Sequence, residues 1–284
     1  MARRLLESSG AAAVVGLGGF SSYAPVKAAA GLGLPVFLLE QNAAPGVANV
    51  RLARRATLVC LAWETSATRL PAGARFEVTG NPLRRDLVEA AARTAYSPGG
   101  GILILGGSTG AVGLNTLVTG AAKALGELGR PIVHQTGAQD FERVREAYRA
   151  AGVEATVSQY IDDMAGAYSK AAVVIARAGG TTLSELALFG LPVVLIPYPY
   201  HKDNHQMLNA RIFTEAGAGE IIEEKKNTSA DLARVVAGLA GDSGRLERMH
   251  AAARRIARPE AAETVASRIW AAIEGAQAAA QETL

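Results

Sequence analysis

The residues best suited to chemistry lie in Arg177-Ala-Gly-Gly-Thr-Thr-Leu-Ser-Glu185. A short apolar run at 172–176 precedes this stretch and another at 193–196 follows it, so it reads as the turn and helix of a βαβ unit. Glycines at that junction leave the N–H groups of Gly180, Thr181 and Thr182 unpaired at the positive end of the helix dipole. The two threonine hydroxyls add further donors. A phosphate satisfies such a set. One turn into the helix stand Ser184 and Glu185, and a carboxylate at this distance from a bound phosphate suits the two hydroxyls of a ribose. The chemistry implied is that of a nucleoside diphosphate lying on a helix N-terminus. The plainer alternative is a tight turn with threonine capping and a solvated first-turn acid.

A second stretch in the same half raises the first above that alternative. Ile102-Leu-Ile-Leu105 runs into Gly106-Gly-Ser-Thr-Gly-Ala111 and then into a helix expected to reach about residue 128. Three glycines and two hydroxyls between a strand and a helix form another phosphate cradle. Farther on, the loop from Pro197 to Gln206 is polar and restrained by two prolines, which points to a site at the carboxyl edge of a sheet. His201 and His205 in it are four apart, but the prolines put His201 before the helix and a third ligand is missing, so no metal is expected. Nor is a carboxylate pair positioned for a divalent ion, because Asp162 and Asp163 read as the start of a helix. No cofactor is expected either.

Strand-like runs alternate with helical ones along the 284 residues, which is the pattern of parallel sheets covered on both faces. The length suits two domains. The run Ser97-Pro-Gly-Gly-Gly101 lacks apolar residues and reads as the linker between them, giving residues 1–96 and 97–259. A last helix over about 260–284 has Val265, Ile269, Trp270 and Ile273 on one side and needs a partner, which residues 1–96 can supply. Trp63 and Trp270 read as core or interdomain anchors.

A net charge of +3 with basic residues scattered along helices does not suggest nucleic acid. The single cysteine, Cys60, falls in a buried-strand pattern, so cysteines provide neither a disulfide nor a zinc framework, in keeping with the cytoplasm. Glu7 interrupts the arginine-led start, and no apolar run approaches the ~18 residues of a membrane span. Arg51, Arg54 and Arg55 form a basic cluster that suits a solvated helix face or anionic lipid headgroups.

The series Gly80-Asn-Pro-Leu-Arg84, Gly106-Gly-Ser-Thr-Gly-Ala111, Tyr160-Ile-Asp-Asp-Met164, Arg177 to Glu185 and His201-Lys-Asp-Asn-His-Gln206, in that order, resembles the MurG family of N-acetylglucosamine transferases in glycosyltransferase family 28. Leu39-Glu-Gln-Asn42 and Gly18-Gly-Phe-Ser21 resemble the family's HEQN and GGYxS segments, with Leu39 where histidine is usual. The likeness spans essentially the whole chain. It implies the GT-B architecture, two doubly wound, Rossmann-like α/β parallel-sheet domains facing a cleft, with the nucleotide held by the second.

It also implies an inverting enzyme that moves N-acetylglucosamine from UDP-N-acetylglucosamine to the muramoyl-pentapeptide of lipid I, giving lipid II for peptidoglycan, at the inner face of the cytoplasmic membrane. Carried over residue by residue, Ile161 meets uracil and Glu185 takes the ribose hydroxyls. Ser108, Arg84 and the turn Gly180, Thr181, Thr182, Leu183 lie near the diphosphate, and Asn42 and Gln206 near the sugar. Arg84 also makes chemical sense as a cation that stabilises the departing diphosphate. The family's opening glycine loop with its histidine has no counterpart, so the first domain is expected to be N-terminally truncated and the catalytic base is unassigned. Two other readings stand beside the transferase: a catalytically incomplete UDP-sugar-binding remnant, and a related transferase with another lipid acceptor.

Overall fold

The computed structural model describes residues 1–107, 110–200 and 203–281. The chain divides into two compact units, residues 1–83 with 258–284, and residues 84–257.

The first unit opens on a helix, α1 (Ala2–Ser9), where the sequence suggested only a charged start. Strands β1 (Val14–Gly16), β2 (Val36–Glu40), β3 (Leu58–Leu61) and β4 (Phe76–Val78) follow, with α2 (Gly19–Gly31) and α3 (Val47–Leu52) between the first three. They pair in parallel in the order β1-β2-β3-β4. Alternation along β2 and β3 sends side chains to two different cores. Val36, Leu38, Val59 and Leu61 pack beneath α2 with Val26 and Leu52, while Phe37, Leu39 and Cys60 face the other way.

That second face is covered by the last helix of the chain, through Val265, Ile269 and Ala272 at i, i+4 and i+7. Trp270 was expected on this face, but it is 63 % exposed, because one residue beyond Ile269 is about 100° around the helix. Trp63, by contrast, is buried and donates its indole N–H to the Gln41 carbonyl at 3.1 Å.

The second unit begins at Arg84, the residue before α4 (Arg85–Arg93). Strands and helices then alternate: β5 (Gly101–Leu105), α5 (Val112–Gly120), α6 (Ala122–Gly126), β6 (Ile132–Gln135), α7 (Phe141–Ala150), β7 (Thr156–Ser158), α8 (Met164–Lys170), β8 (Ala171–Ala176), α9 (Gly180–Phe189), β9 (Val193–Leu195), α10 (His205–Ala216) and β10 (Gly219–Ile221). Helices α11 (Ser229–Ala240) and α12 (Ser243–Ile256) complete the unit; α13 (Ala261–Gln281) is the helix that returns to the first.

The division between units falls at Leu83 and Arg84, ahead of the glycine run at 97–101. The reason is α4, which packs on α8 and α9 and so belongs with the second sheet. Tyr96, just after it, donates its hydroxyl hydrogen to the Ala172 carbonyl at 3.0 Å. The single helix expected to reach about residue 128 is two, α5 and α6, and the break follows Gly120, where a Cβ would run into the Ser229 side chain at the start of α11.

All six strands of the second sheet are parallel, in the order β10-β9-β8-β5-β6-β7. Chain order therefore reverses between β5 and β8. From that point connections depart to opposite sides, leaving a crevice at the carboxyl ends of these two strands, the usual place for a ligand in such sheets. Both glycine loops picked out in the sequence follow these two strands.

Candidate active site

Helix α9 starts directly from β8, which is buried along its whole length and fixes where the turn Arg177-Ala-Gly-Gly emerges. Asn209 of α10, itself fully buried, donates to the Ala178 carbonyl at 2.9 Å and holds that turn from below. The N-cap residue, Gly179, has no side chain to offer, and the first turn carries no acid. The N–H groups of Gly180, Thr181 and Thr182, with both threonine hydroxyls, have no acceptor among the described residues. An uncapped helix start with open donors favours an anion through local N–H charge and dipole alike.

Leu183 belongs to the turn and not to its open side. Its side chain is fully buried and its N–H donates to the Gly179 carbonyl at 2.9 Å. The Ser184 hydroxyl donates back to the Gly180 carbonyl at 3.0 Å, a helix-internal bond that leaves its oxygen free to accept.

Glu185 is half-buried one turn inside α9. Burial raises its carboxyl above the ordinary carboxylate range, while a hydrogen bond from Tyr168 and the positive charge of Arg84 act to lower it and Asp86 to raise it. Arg84, exposed at the head of α4, lies 3.2 Å from Asp86. The fold thus brings Arg84 within electrostatic reach of Glu185, although the two stand far apart in the sequence.

Ile161 is half-buried in the loop between β7 and α8; beyond it Asp163 caps α8 by accepting from the Gly166 N–H at 2.8 Å, as its place in the sequence suggested. Gln206 sits in the first turn of α10, where its side-chain oxygen accepts from the Tyr198 N–H at 2.9 Å. Ser108 and His201 lie outside the described residues. His205 pairs with Asp203 at 2.9 Å.

The second cradle is built by a buried polar set. Asn115 of α5 donates to the Thr136 carbonyl at 3.1 Å and to Asp140 at 2.7 Å, and its oxygen faces Nε2 of His134 at 3.1 Å. Gly110 and Gly137 meet so closely that a Cβ on Gly137 would lie 2.6 Å from Gly110 backbone, and both have positive φ. Like α9, α5 has neither a capping side chain nor an acid in its first turn.

Asn42 belongs to the first unit, in the loop after β2. That loop folds around Glu40, whose carboxylate is 3 % exposed and accepts from the Asn42 N–H at 2.9 Å, the Asn42 side-chain amide at 3.2 Å, the Gly46 N–H at 2.8 Å and the Asn49 amide at 2.8 Å. Neither this role of Glu40 nor that of Tyr168 was read from the sequence. For Glu40 a signal existed, a charged residue closing the otherwise apolar run Val-Phe-Leu-Leu-Glu40. For Tyr168 there was none, because its partner lies on another helix.

Comparison with known proteins agrees in both units. Residues 101–265 match the Glycosyltransferase family 28 C-terminal domain and residues 1–61 the Glycosyltransferase family 28 N-terminal domain. A relative from Myxococcus xanthus, named UDP-N-acetylglucosamine--N-acetylmuramyl-(pentapeptide) pyrophosphoryl-undecaprenol N-acetylglucosamine transferase, is 40 % identical over 256 residues, which is 89 % of this chain and 67 % of the relative. A protein of the same name from Nitratidesulfovibrio vulgaris is 40 % identical over 282 residues, covering 92 % of this chain and 73 % of its own.

The crystal structure of Acinetobacter baumannii MurG superposes with a TM-score of 0.75 at 34 % identity, over 95 % of this chain and 76 % of that one. The two α/β parallel-sheet units are accordingly those of a GT-B glycosyltransferase. Because domains of one enzyme family match in order along the chain, and relatives with a common name share two residues in five with it, the chain belongs to glycosyltransferase family 28, in its MurG branch.

Proposed function

We propose that the chain transfers N-acetylglucosamine from UDP-N-acetylglucosamine to the muramoyl-pentapeptide of lipid I, with inversion, yielding lipid II and UDP. The observation that carries the donor half is the pair of uncapped helix starts, α5 and α9, beside the strand-order reversal, with Glu185 one turn into α9. The acceptor half rests on the common name of the 40 % identical relatives.

In this reading the N–H groups of Gly180, Thr181 and Thr182 and the loop containing Ser108 take the diphosphate, Glu185 the ribose hydroxyls, and Ile161 the uracil. Gln206 meets the sugar. The acceptor hydroxyl oxygen forms a bond to the anomeric carbon while the bond from that carbon to the β-phosphate oxygen breaks. The electron pair leaves with UDP, and the hydroxyl proton passes to a general base. Charge grows on the diphosphate as this happens, so fixed helix N–H groups and the Arg84 guanidinium lower the barrier by being aimed there beforehand.

A lipid-linked acceptor calls for work at a membrane surface. Among the described residues no helix is long and apolar enough to cross a membrane. Met1, Leu5, Leu17 and Phe20 are all exposed near the start of the chain, alongside the exposed basic residues Arg3, Arg4 and Lys27. Apolar side chains mixed with cations suit an anionic lipid interface, which supports peripheral attachment to the inner face of the cytoplasmic membrane.

The test is transfer of labelled N-acetylglucosamine from its UDP conjugate to a lipid I analogue. Labelled lipid II is expected. Binding of UDP-N-acetylglucosamine without any product would leave a donor-binding remnant in place of a transferase, and product on a different lipid acceptor would overturn the choice of lipid I.

A further inference from the structure

Arg177 lies one residue beyond β8, between the two cradles, with its side chain 13 % exposed. Its Nη1 donates to the Ile196 carbonyl at 2.9 Å and its Nη2 to Oε2 of Glu224 at 2.6 Å. The guanidinium carbon also stands 5.6 Å from the centre of the Tyr198 ring. One side chain therefore ties together the segments that follow β8, β9 and β10 at the carboxyl edge of the sheet.

Glu224 extends the tie to the fourth segment. Its side chain, 15 % exposed, rests on Gly113 in the first turn of α5 so closely that a Cβ there would overlap the carboxyl group. Glycine is what lets the carboxylate approach there, and the positive end of α5 favours a negative group beside it. The ion pair thus runs from the turn that launches α9 to the first turn of α5. These are the two helix starts assigned above to the donor diphosphate.

We propose that Arg177 and Glu224 are positioning residues that hold the two cradles in register, and that their pairing sets the preference for a nucleoside diphosphate over a monophosphate. The argument rests on the donor site described under the proposed function. A single phosphate needs one cradle, whose N–H groups are fixed by their own helix. A diphosphate needs both at a set separation, and sites of this kind tolerate errors of only about 0.5 Å. Loosening the brace therefore acts on the second phosphate while leaving the first, the ribose and the base in place.

The test is calorimetric titration of the full chain with UDP and with UMP, with thermal unfolding recorded for each variant. Glu224→Ala is expected to weaken UDP about tenfold, the scale of one charge-assisted hydrogen bond, and to leave UMP within about twofold. Gly113→Ala should do the same while keeping both charges, because the new methyl displaces the carboxylate. Alanine is the better helix former at that position, so this variant carries the test if Glu224→Ala does not fold. Glu224→Gln keeps an oxygen for Arg177 and should restore the wild-type ratio of UDP to UMP affinity. Parallel loss of both ligands, or no change in either, overturns the brace while leaving the donor site intact. A wild-type chain that takes up no UDP removes the donor site and the brace with it.

Discussion

The Tyr168 hydroxyl donates to Oε2 of Glu185 at 2.7 Å from the floor of the second unit, where Tyr168 is 1 % exposed. One carboxylate oxygen is thereby fixed. The same bond opposes the surroundings of a half-buried acid, since burial raises the Glu185 carboxyl and the tyrosine hydrogen bond offsets part of that. Tyr168→Phe should push the carboxyl further up and weaken UDP binding at neutral pH by about 1 to 3 kcal/mol, the range for a hydrogen bond to a charged group. Unchanged affinity in calorimetry would remove Tyr168 from the site.

The raised Glu185 carboxyl also sets the direction of a pH effect. Accepting from two ribose hydroxyls needs the ionised form, so acidification should weaken UDP binding as Glu185 protonates, beginning above the pH at which an ordinary carboxylate does. With Glu185→Gln this fall should vanish and affinity should be low throughout. A wild-type affinity that stays level down to the ordinary carboxylate range contradicts the ribose role.

Arg84 is exposed and close to Asp86, an arrangement worth little to stability but suited to a moving negative charge. Arg84→Ala should lower kcat about 10²- to 10³-fold, the range for removing one preorganised donor from a developing anion, with a smaller change in the KM for UDP-N-acetylglucosamine. Steady-state kinetics decide this. A variant that changes KM and spares kcat would make Arg84 a ground-state contact.

The glycine loops at 106–111 and 177–180 and the apolar strands that launch them were legible because local chemistry alone demands them: unpaired N–H groups at a helix start and period-two burial need no distant partner. The order of the strands was not. Nothing in 102–105 or 172–176 says that they lie side by side, and the crevice depends on that pairing. The same holds for the residues that aim the site. Glu185 and Arg177 stood in the motif, but Tyr168, Asn209 and Glu224 reach them from other elements, so their roles follow from packing. Trp270 was misplaced for a simpler reason, since a bulky apolar residue beside the stripe of Val265 and Ile269 looks like part of it until the helix is rotated onto its sheet.

Glu40 places four donors on one buried carboxylate, including both the backbone and the side chain of Asn42. The Asn49 amide completes this set by also donating to the Leu39 carbonyl at 3.0 Å. Glu40→Gln puts an N–H where an acceptor is required and leaves at least one donor unpaired. It should cost about 1 to 3 kcal/mol for each orphaned group and loosen the loop that presents Asn42. Urea unfolding together with amide exchange over residues 41–49 tests both parts, and a variant as stable and as protected as the wild type would assign the loop geometry to something other than Glu40.

His134 ties acid to the stability of the second unit. Asn115 uses its amide hydrogens on Thr136 and Asp140, so its oxygen must accept from Nε2 of His134, which leaves Nδ1 to accept from the Tyr148 hydroxyl at 3.1 Å. The ring is therefore neutral, fully buried, and pushed down from the usual 6.5 to about 3, chiefly by burial, with Asp140 opposing and Arg143 assisting the shift. Between those two values the unfolded chain holds a proton that the folded chain does not. Stability from this residue is complete above the unfolded value and falls by about 1.4 kcal/mol per pH unit as pH drops through the window. Denaturant titrations at several pH values should show a shallower acid loss for His134→Gln than for the wild type. If both lose stability in parallel, His134 is not the group that titrates.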